Sequence, residues 1–299
     1  VAWLAWACRG DRVIGARVRD RMSGEEGTLR ARLCVNATGP WAGDLLGPET
    51  AVPGLRLTRG THLVLAGDPG GEARLFFSPE DGRVLFLLPF GAGRSLLGTT
   101  DLDEAEVSAE PAVRRDEVAY LGRAFRSQFP AWASWRPVGL QCGLRPLVDH
   151  PGNPSAVSRE EHVEVDPASG VISILGGKFT TYRAVGERVL DRVEGLLGVP
   201  EGGHPSRFAP LAPAGKAGGE PEAVIRRAFA EESAITLDDL FFRRTRWGHG
   251  GPWEEHLAAA GEAWRRRFGL SPGAGAEVAE AFRETQRRRL APLAGWPEP

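Results

Sequence analysis

Val171-Ile172-Ser173-Ile174-Leu175-Gly176-Gly177-Lys178-Phe179-Thr180-Thr181-Tyr182-Arg183 reads as a buried strand, two glycines, a lysine and the start of a helix. Val185, Val189 and Val193 recur four residues apart and Leu196 and Leu197 close the stripe, so an amphipathic helix follows the glycines. Thr180 and Thr181 are candidate N-caps, a hydroxyl accepting from backbone N–H groups of the first turn. Such a helix start presents unpaired N–H donors and a partial positive charge. An anion or the electron-rich edge of a heterocycle fits there, with Gly176 and Gly177 allowing close approach to the backbone. An ordinary strand–turn–helix corner with a solvated lysine has the same pattern, so the rest of the chain decides.

Working outward, residues 12–19 alternate as a strand, 21–28 read as a turn, and 29–35 return as a strand. Val35-Asn36-Ala37-Thr38-Gly39-Pro40-Trp41 then forms a second strand-to-helix corner, with Pro40 where a first helical residue needs no N–H. Residues 55–66 alternate as a half-buried strand carrying His62, and 83–89 with 95–100 form a hairpin around Phe90-Gly91-Ala92-Gly93-Arg94. A helical stripe of Val118, Leu121, Phe125 and Phe129 stops at Pro130, and Arg145 lies inside the apolar run 139–148. Thr99 and Thr100 read as hydrogen-bonding residues at a sheet end. Residues 162–165 lead across a turn at 166–170 into the opening stretch. Residues 200–221 are dense in glycine and proline, which marks a linker. Beyond it 221–232, 236–245, 253–268 and 276–290 read as helices, with Arg243, Arg244 and Arg246 a solvated basic face.

The bulk properties exclude several classes. A chain of 299 residues has room for two domains, and 42% apolar with 25% charged residues is an ordinary globular balance. A net charge of −2 supplies no global field for nucleic acid. The 3 cysteines, Cys8, Cys34 and Cys142, lack metal or redox spacing, which argues for a reducing, cytoplasmic compartment and no metal site. No segment approaches the roughly 20 apolar residues of a membrane helix. The start at Val1 has neither Met nor a basic n-region and runs directly into a strand pattern, so the chain is expected to begin in mid-fold.

Two glycine corners flanking an antiparallel section suggest a cofactor domain interrupted by a substrate sheet. Val35-Asn36-Ala37-Thr38-Gly39-Pro40-Trp41, Arg59-Gly60-Thr61-His62, Gly98-Thr99-Thr100-Asp101, Gly143-Leu144-Arg145-Pro146-Leu147 and residues 176–183 occur in one order. That order resembles the FAD-dependent glycerol-3-phosphate dehydrogenases of the D-amino-acid-oxidase-like flavoprotein superfamily. Thr236-Leu237-Asp238-Asp239-Leu240 and Arg243-Arg244-Thr245-Arg246 are similar to that family's C-terminal domain, so the likeness covers nearly the whole chain.

The resemblance implies an α/β (α+β) fold. It has a partial glutathione-reductase-like FAD domain (1–50 and 149–200), an antiparallel-sheet substrate domain (51–148), a linker (201–220) and a helical C-terminal domain (221–299). It implies oxidation of sn-glycerol 3-phosphate to dihydroxyacetone phosphate, hydride passing from substrate C2 to flavin N5 and electrons then to a quinone. By the same resemblance Gly176, Gly177, Lys178, Phe179, Thr180 and Thr181 lie along the flavin's pyrimidine edge, where a helix N-terminus stabilises negative charge. Ala37, Thr38 and Gly39 pass close to the phosphate-bearing side of FAD. Arg145 binds phosphate bidentately or polarises the C2 oxygen, and Arg159 and Lys178 supply further substrate contacts. His62 holds or deprotonates the C2 hydroxyl. Each has a structural alternative: Arg145 paired with a carboxylate, Lys178 and Arg159 solvated, His62 a packed histidine.

One departure bears on the cofactor. The family opens with a βαβ unit whose Gly-x-Gly-x-x-Gly loop takes the pyrophosphate, and nothing here matches it. Gly91-Ala92-Gly93-Arg94-Ser95-Leu96 lacks the third glycine and sits in a hairpin. The chain therefore resembles roughly the latter two-thirds of such an enzyme, and by itself is expected to bind FAD weakly or not at all and to be inactive. A glycerol-3-phosphate oxidase, another flavin oxidase of the superfamily, and a non-catalytic remnant binding a phosphorylated ligand are the alternatives. Homodimerisation and peripheral attachment to the cytoplasmic membrane face stay open.

Overall fold

The structure, a computed structural model, describes residues 1–46, 54–148, 161–200, 202–210 and 219–297. In chain order these form β1 (Ala2–Arg9), β2 (Arg12–Arg19), β3 (Glu26–Arg30), β4 (Val35–Asn36), β5 (Leu55–Ala66), β6 (Arg74–Phe77), β7 (Val84–Gly91), β8 (Arg94–Gly98) and β9 (Leu102–Glu104). There follow α1 (Arg115–Gln128), β10 (Pro137–Val148), β11 (Glu161–Val165), β12 (Ile172–Gly176), α2 (Tyr182–Leu197), α3 (Pro221–Ala230), α4 (Trp253–Arg267) and α5 (Ala274–Leu290). The chain divides into two compact units. Val1–Arg59, Asp101–Ala109 and Leu144–Ala212 form the first, and Gly60–Thr100, Glu110–Gly143 and Pro213–Pro299 the second.

In the first unit β1, β2 and β3 form an antiparallel meander. Asp20 builds its second turn, its carboxylate accepting from Met22 N–H at 2.7 Å and its carbonyl from Gly24 N–H at 2.9 Å. Arg19 and Glu26 face each other across the register and pair. The return strand therefore occupies Glu26–Arg30, not 29–35, because this tight turn starts the pairing early. A second sheet has the order β11-β12-β4, with β11 antiparallel and β4 parallel to β12. Its core joins Ala42, Val148 and Leu175 to Leu55.

The apolar stripe of α2 is covered only in part. Val189 is buried, Val185, Val193 and Leu197 are half-buried, and Leu196 stays 48% exposed. A helix of 16 residues is about 24 Å long. The 5 residues of β12 extend only about 17 Å, so the last turns overhang the sheet.

The larger sheet has the order β10-β5-β8-β7-β6, with β9 paired to β5. In the second unit its residues Leu63, Leu65, Leu85, Leu87, Leu97 and Phe76 bury against Val118, Leu121 and Phe125 of α1. Fully burying side chains of this size contributes roughly 1.5–3 kcal/mol each. The β7–β8 turn is tight, with Ala92 (φ 49°) and Gly93 (φ 70°) left-handed, as a two-residue hairpin loop requires. The half-buried alternation expected for β5 is not observed. Thr58 to Leu65 are buried except for His62, which is half-buried, because β5 is an interior strand flanked by β8 and β10.

The C-terminal helices share a separate core that includes Ile225, Leu240, Phe241, Leu257 and Phe282. The segment expected as a helix over 236–245 is instead dominated by a π-helical turn, Asp239–Arg244. The basic cluster there is paired, not merely solvated. Arg243 meets Asp239 at 2.9 Å, Arg244 donates to Glu232 O at 2.7 Å, and Arg246 donates to Phe90 O at 3.0 Å. His249 sits edge-on to Phe242 and Phe90, with Gln141 Nε2 3.1 Å from its Nδ1.

Burial holds the His249 imidazole below its ordinary value of 6.5, Arg246 adds to the effect, and a hydrogen bond to the Phe242 backbone opposes it. The unfolded chain then binds a proton that the native state refuses. The contribution is complete above 6.5 and is lost as pH falls through the lowered native value. Urea midpoints measured from pH 8 down to about pH 5 should fall, and His249→Gln should flatten that slope.

Candidate functional site

The register Ile172↔Val35 and Ser173↔Asn36 is parallel and places β4 beside the first residues of β12, so the two strands run the same way. Both glycine corners therefore leave the same end of the second sheet. Gly39 (φ 61°), Gly176 (φ 68°) and Gly177 (φ 89°) are all left-handed, a conformation that strains other residues. A Cβ on Gly39 would meet nothing within 4 Å, so open space faces that corner, whereas one on Gly177 would lie 3.2 Å from Glu161 Cβ.

Asn36 holds the two corners in register, a role sequence reading missed. Fully buried, it donates from Nδ2 to Ala42 O at 2.9 Å and to Ser173 Oγ at 3.4 Å. Its Oδ1 accepts the Thr38 hydroxyl at 2.7 Å. A polar amide at the end of an apolar strand was the one available signal. Ala37 and Thr38 are exposed beside it, and a 3-10 helix, Gly39–Leu45, follows with Pro40 in its first turn.

The second corner differs from expectation in its cap. A 3-10 turn, Phe179–Thr181, precedes α2. Thr181 occupies the residue before α2, yet its hydroxyl donates back to Lys178 O at 3.0 Å and caps nothing. Thr180 does not cap α2 either, because the extra turn separates it from the helix. Lys178, Phe179 and Thr180 are exposed, Phe179 by 90%, and its ring stacks on Tyr182 at 5.7 Å.

Arg145, on the portion of β10 in the first unit, donates from Nη1 to Asp101 Oδ1 at 3.2 Å. The Asp101 side chain is 4% exposed and the Arg145 side chain 24%, so a buried anion orients a cation on a partly exposed side chain. Arg159 lies outside the described residues.

In the second unit, His62 faces Gly98 across β5 and β8, Gly98 faces Phe86, and Phe86 faces Leu75. Directly opposed residues share a face. His62 therefore lies on the side of the sheet away from Leu63, Leu65 and α1. Beneath it, Glu117 of α1 accepts from the Thr61 and Thr100 hydroxyls, each at 2.9 Å, and from Arg114 N–H at 3.0 Å. Thr100 is thus a sheet-end hydrogen bonder. Glu117 was not foreseen, since its partners come from three separate stretches.

Open α/β sheets take ligands at the carboxyl ends of their parallel strands, and both glycine corners lie at that end of β4 and β12. Residues 6–191 match the family described as FAD dependent oxidoreductase, and the chain belongs to that family. Among curated relatives it is 32% identical over 202 residues to the aerobic glycerol-3-phosphate dehydrogenase of Staphylococcus aureus (strain USA300), covering 63% of this chain and 35% of that protein. The match thus spans about a third of the relative's length. The glycerol-3-phosphate dehydrogenase of Bacillus halodurans, solved with FAD, superposes with a TM-score of 0.79 at 22% identity over 97% of this chain and 69% of that one. L-proline dehydrogenase from P. horikoshii is more distant, at a TM-score of 0.50 and 14% identity over 67% of this chain and 50% of that one. These neighbours support the mixed α/β fold. Among the described residues no helix is long and apolar enough to cross a membrane.

Proposed function

We propose that the chain serves FAD-dependent oxidation of sn-glycerol 3-phosphate to dihydroxyacetone phosphate, with electrons passed on to a quinone. The observation that supports this reading is the parallel pairing of β4 and β12, by which both glycine corners leave the same end of the sheet. One corner has room for the cofactor: open space faces Gly39, while the side of Gly177 where a Cβ would stand is taken by Glu161. Ala37, Thr38 and Gly39 would hold its phosphate-bearing side, and Gly176, Gly177, Lys178, Phe179, Thr180 and Thr181 its ring edge. FAD, when bound, supplies the oxidant for the substrate carbon.

The remaining roles belong to the chain's own side chains. Arg145, oriented by Asp101, binds the phosphate or polarises the C2 oxygen with a planar fork of donors. Lys178 adds positive charge near the substrate, and Arg159 is assigned a second phosphate contact. His62 takes the C2 hydroxyl proton. The S. aureus relatives' name supports the substrate.

Calorimetric titration with glycerol 3-phosphate, in the presence of FAD, tests the reading. Saturable binding is expected, with glycerol silent and Arg145→Ala weakening binding at least about tenfold, or about 1.4 kcal/mol. Absence of binding to the unaltered chain, or equal affinity for glycerol, would sink it.

A further inference from the structure

We infer that the cleft between β11 and α2 is a second ligand site, one that takes a small dianion such as a phosphate monoester or a dicarboxylate. The cleft lies wholly within the first unit and is separate from the proposed substrate contacts. Its volume is about 360 Å³, within the range of small-molecule sites, and it is lined by Glu161, Val163, Arg188, Asp191 and Arg192. Glu161 and Val163 alternate onto one face of β11, and Arg188 and Arg192 stand one helical turn apart on α2. Val163 is the one apolar wall, so the cleft suits a charged guest and offers little to an apolar one.

The charges around the cleft are engaged with one exception. Glu161 pairs with Arg188 across it, and Asp191 is drawn to His204 at 3.2 Å. The other carboxylates of α2 are committed as well. Glu187 meets Arg183, and Arg207 at 2.9 Å, while Glu194 accepts Gly202 N–H at 3.2 Å. Glu164 meets His162 at 3.2 Å on the opposite face of β11. Arg192 alone of the three α2 arginines has no ion pair among the described residues. A guanidinium is a planar fork of donors that matches carboxylate and phosphate oxygens. An oxyanion set against Arg192 also comes within reach of Arg188, whose side chain is 50% exposed. Glu161 is then an internal competitor, a carboxylate of the chain already standing where the guest's negative charge would go. It also stands opposite Gly176, with its Cβ 3.2 Å from where a Cβ on Gly177 would lie. Exchange of Arg188 from Glu161 to a ligand is therefore felt beside the second glycine corner.

The test is titration of the unaltered chain with inorganic phosphate and, separately, with malonate at constant ionic strength, followed by calorimetry and by backbone amide resonances. Saturable binding of at least one is expected in about the millimolar range. Arg192→Ala should weaken it at least about tenfold, since a charge-assisted contact is lost. Glu161→Gln should tighten it about twofold to fivefold, because the competing carboxylate becomes neutral. Glu72→Gln, which removes an exposed carboxylate of the second unit, should leave it unchanged. Amide shifts should centre on residues 161–163 and 188–192 and on Gly177, and should persist in Arg145→Ala. Preference for phosphate assigns a phosphoryl ligand to the cleft, and preference for malonate a carboxylate one. No saturable binding of either anion, shifts spread over the arginines of α4 and α5, an affinity indifferent to Glu161→Gln, or binding lost in Arg145→Ala but kept in Arg192→Ala would overturn the inference. Lack of glycerol 3-phosphate binding at Arg145 would remove the functional reading and leave this one standing, because the two share no contact.

Discussion

Replacing Glu117 by leucine is expected to destabilise the fold by about 3–6 kcal/mol. Glu117 is 3% exposed, and its carboxylate is the acceptor for two buried hydroxyls, Thr61 and Thr100, and for the N–H of Arg114 at the start of α1. Leucine fills the volume but removes the acceptor that the two buried hydroxyls and the Arg114 N–H share. An unsatisfied buried donor costs roughly 1–3 kcal/mol, and the three share one acceptor, so the losses accumulate. Glu117→Gln keeps one acceptor oxygen and should cost about 1–2 kcal/mol, because its amide points a donor at a donor. Urea denaturation at constant slope measures both. The consequence reaches the candidate site through the chain, since Thr61 precedes His62 and Thr100 lies two residues beyond Gly98. A leucine variant within about 1 kcal/mol of the unaltered chain would show that the network does not join α1 to the sheet.

Asn36→Leu is the second large effect, at about 2–4 kcal/mol. The amide is fully buried and ties Ala42 O, the Ser173 hydroxyl and the Thr38 hydroxyl together, so leucine orphans groups on the first glycine corner and on β12. The loss should be local as well as global. Backbone amides of residues 37–45 should exchange with solvent faster in this variant, because the turn that carries Gly39 loses its anchor to β12. Asn36→Asp keeps the acceptor for Thr38 but loses the donor and buries a charge, and it should be no better tolerated. Unchanged exchange over 37–45 would show that Pro40 and the surrounding apolar contacts hold the corner without the amide.

Much of this architecture was legible in the residues. Residues 55–66 read as a strand and form β5 with the same bounds, because Gly and Pro punctuate its neighbours and its β-branched and leucine content is high. The Gly91-Ala92-Gly93 turn declared its hairpin, since two successive left-handed residues have few other uses. The stripe of Val118, Leu121 and Phe125 is the face by which α1 enters the core. Thr181 shows the limit. A threonine ahead of a helix pattern has the capping chemistry, but its hydroxyl found the Lys178 carbonyl first, and a hydroxyl that donates backward leaves no sign in the residue order.

The two strand–glycine–helix corners, the antiparallel section between them, the helical tail and the order of motifs that marks the flavoprotein family are written in the residue order. These are local matters: periodicity, left-handed positions and turn chemistry act over a few residues. The parallel pairing of β4 with β12, 137 residues apart at Asn36 and Ser173, is a long-range matter, and it is this pairing that sends both corners to one end of the sheet. Long-range packing likewise has Asp101 orient Arg145 and Glu117 gather Thr61 and Thr100. Each of these joins groups distant in the chain, and the chain order does not say which donor meets which acceptor. Burial does, because a buried polar group must find a partner wherever the packing brings one.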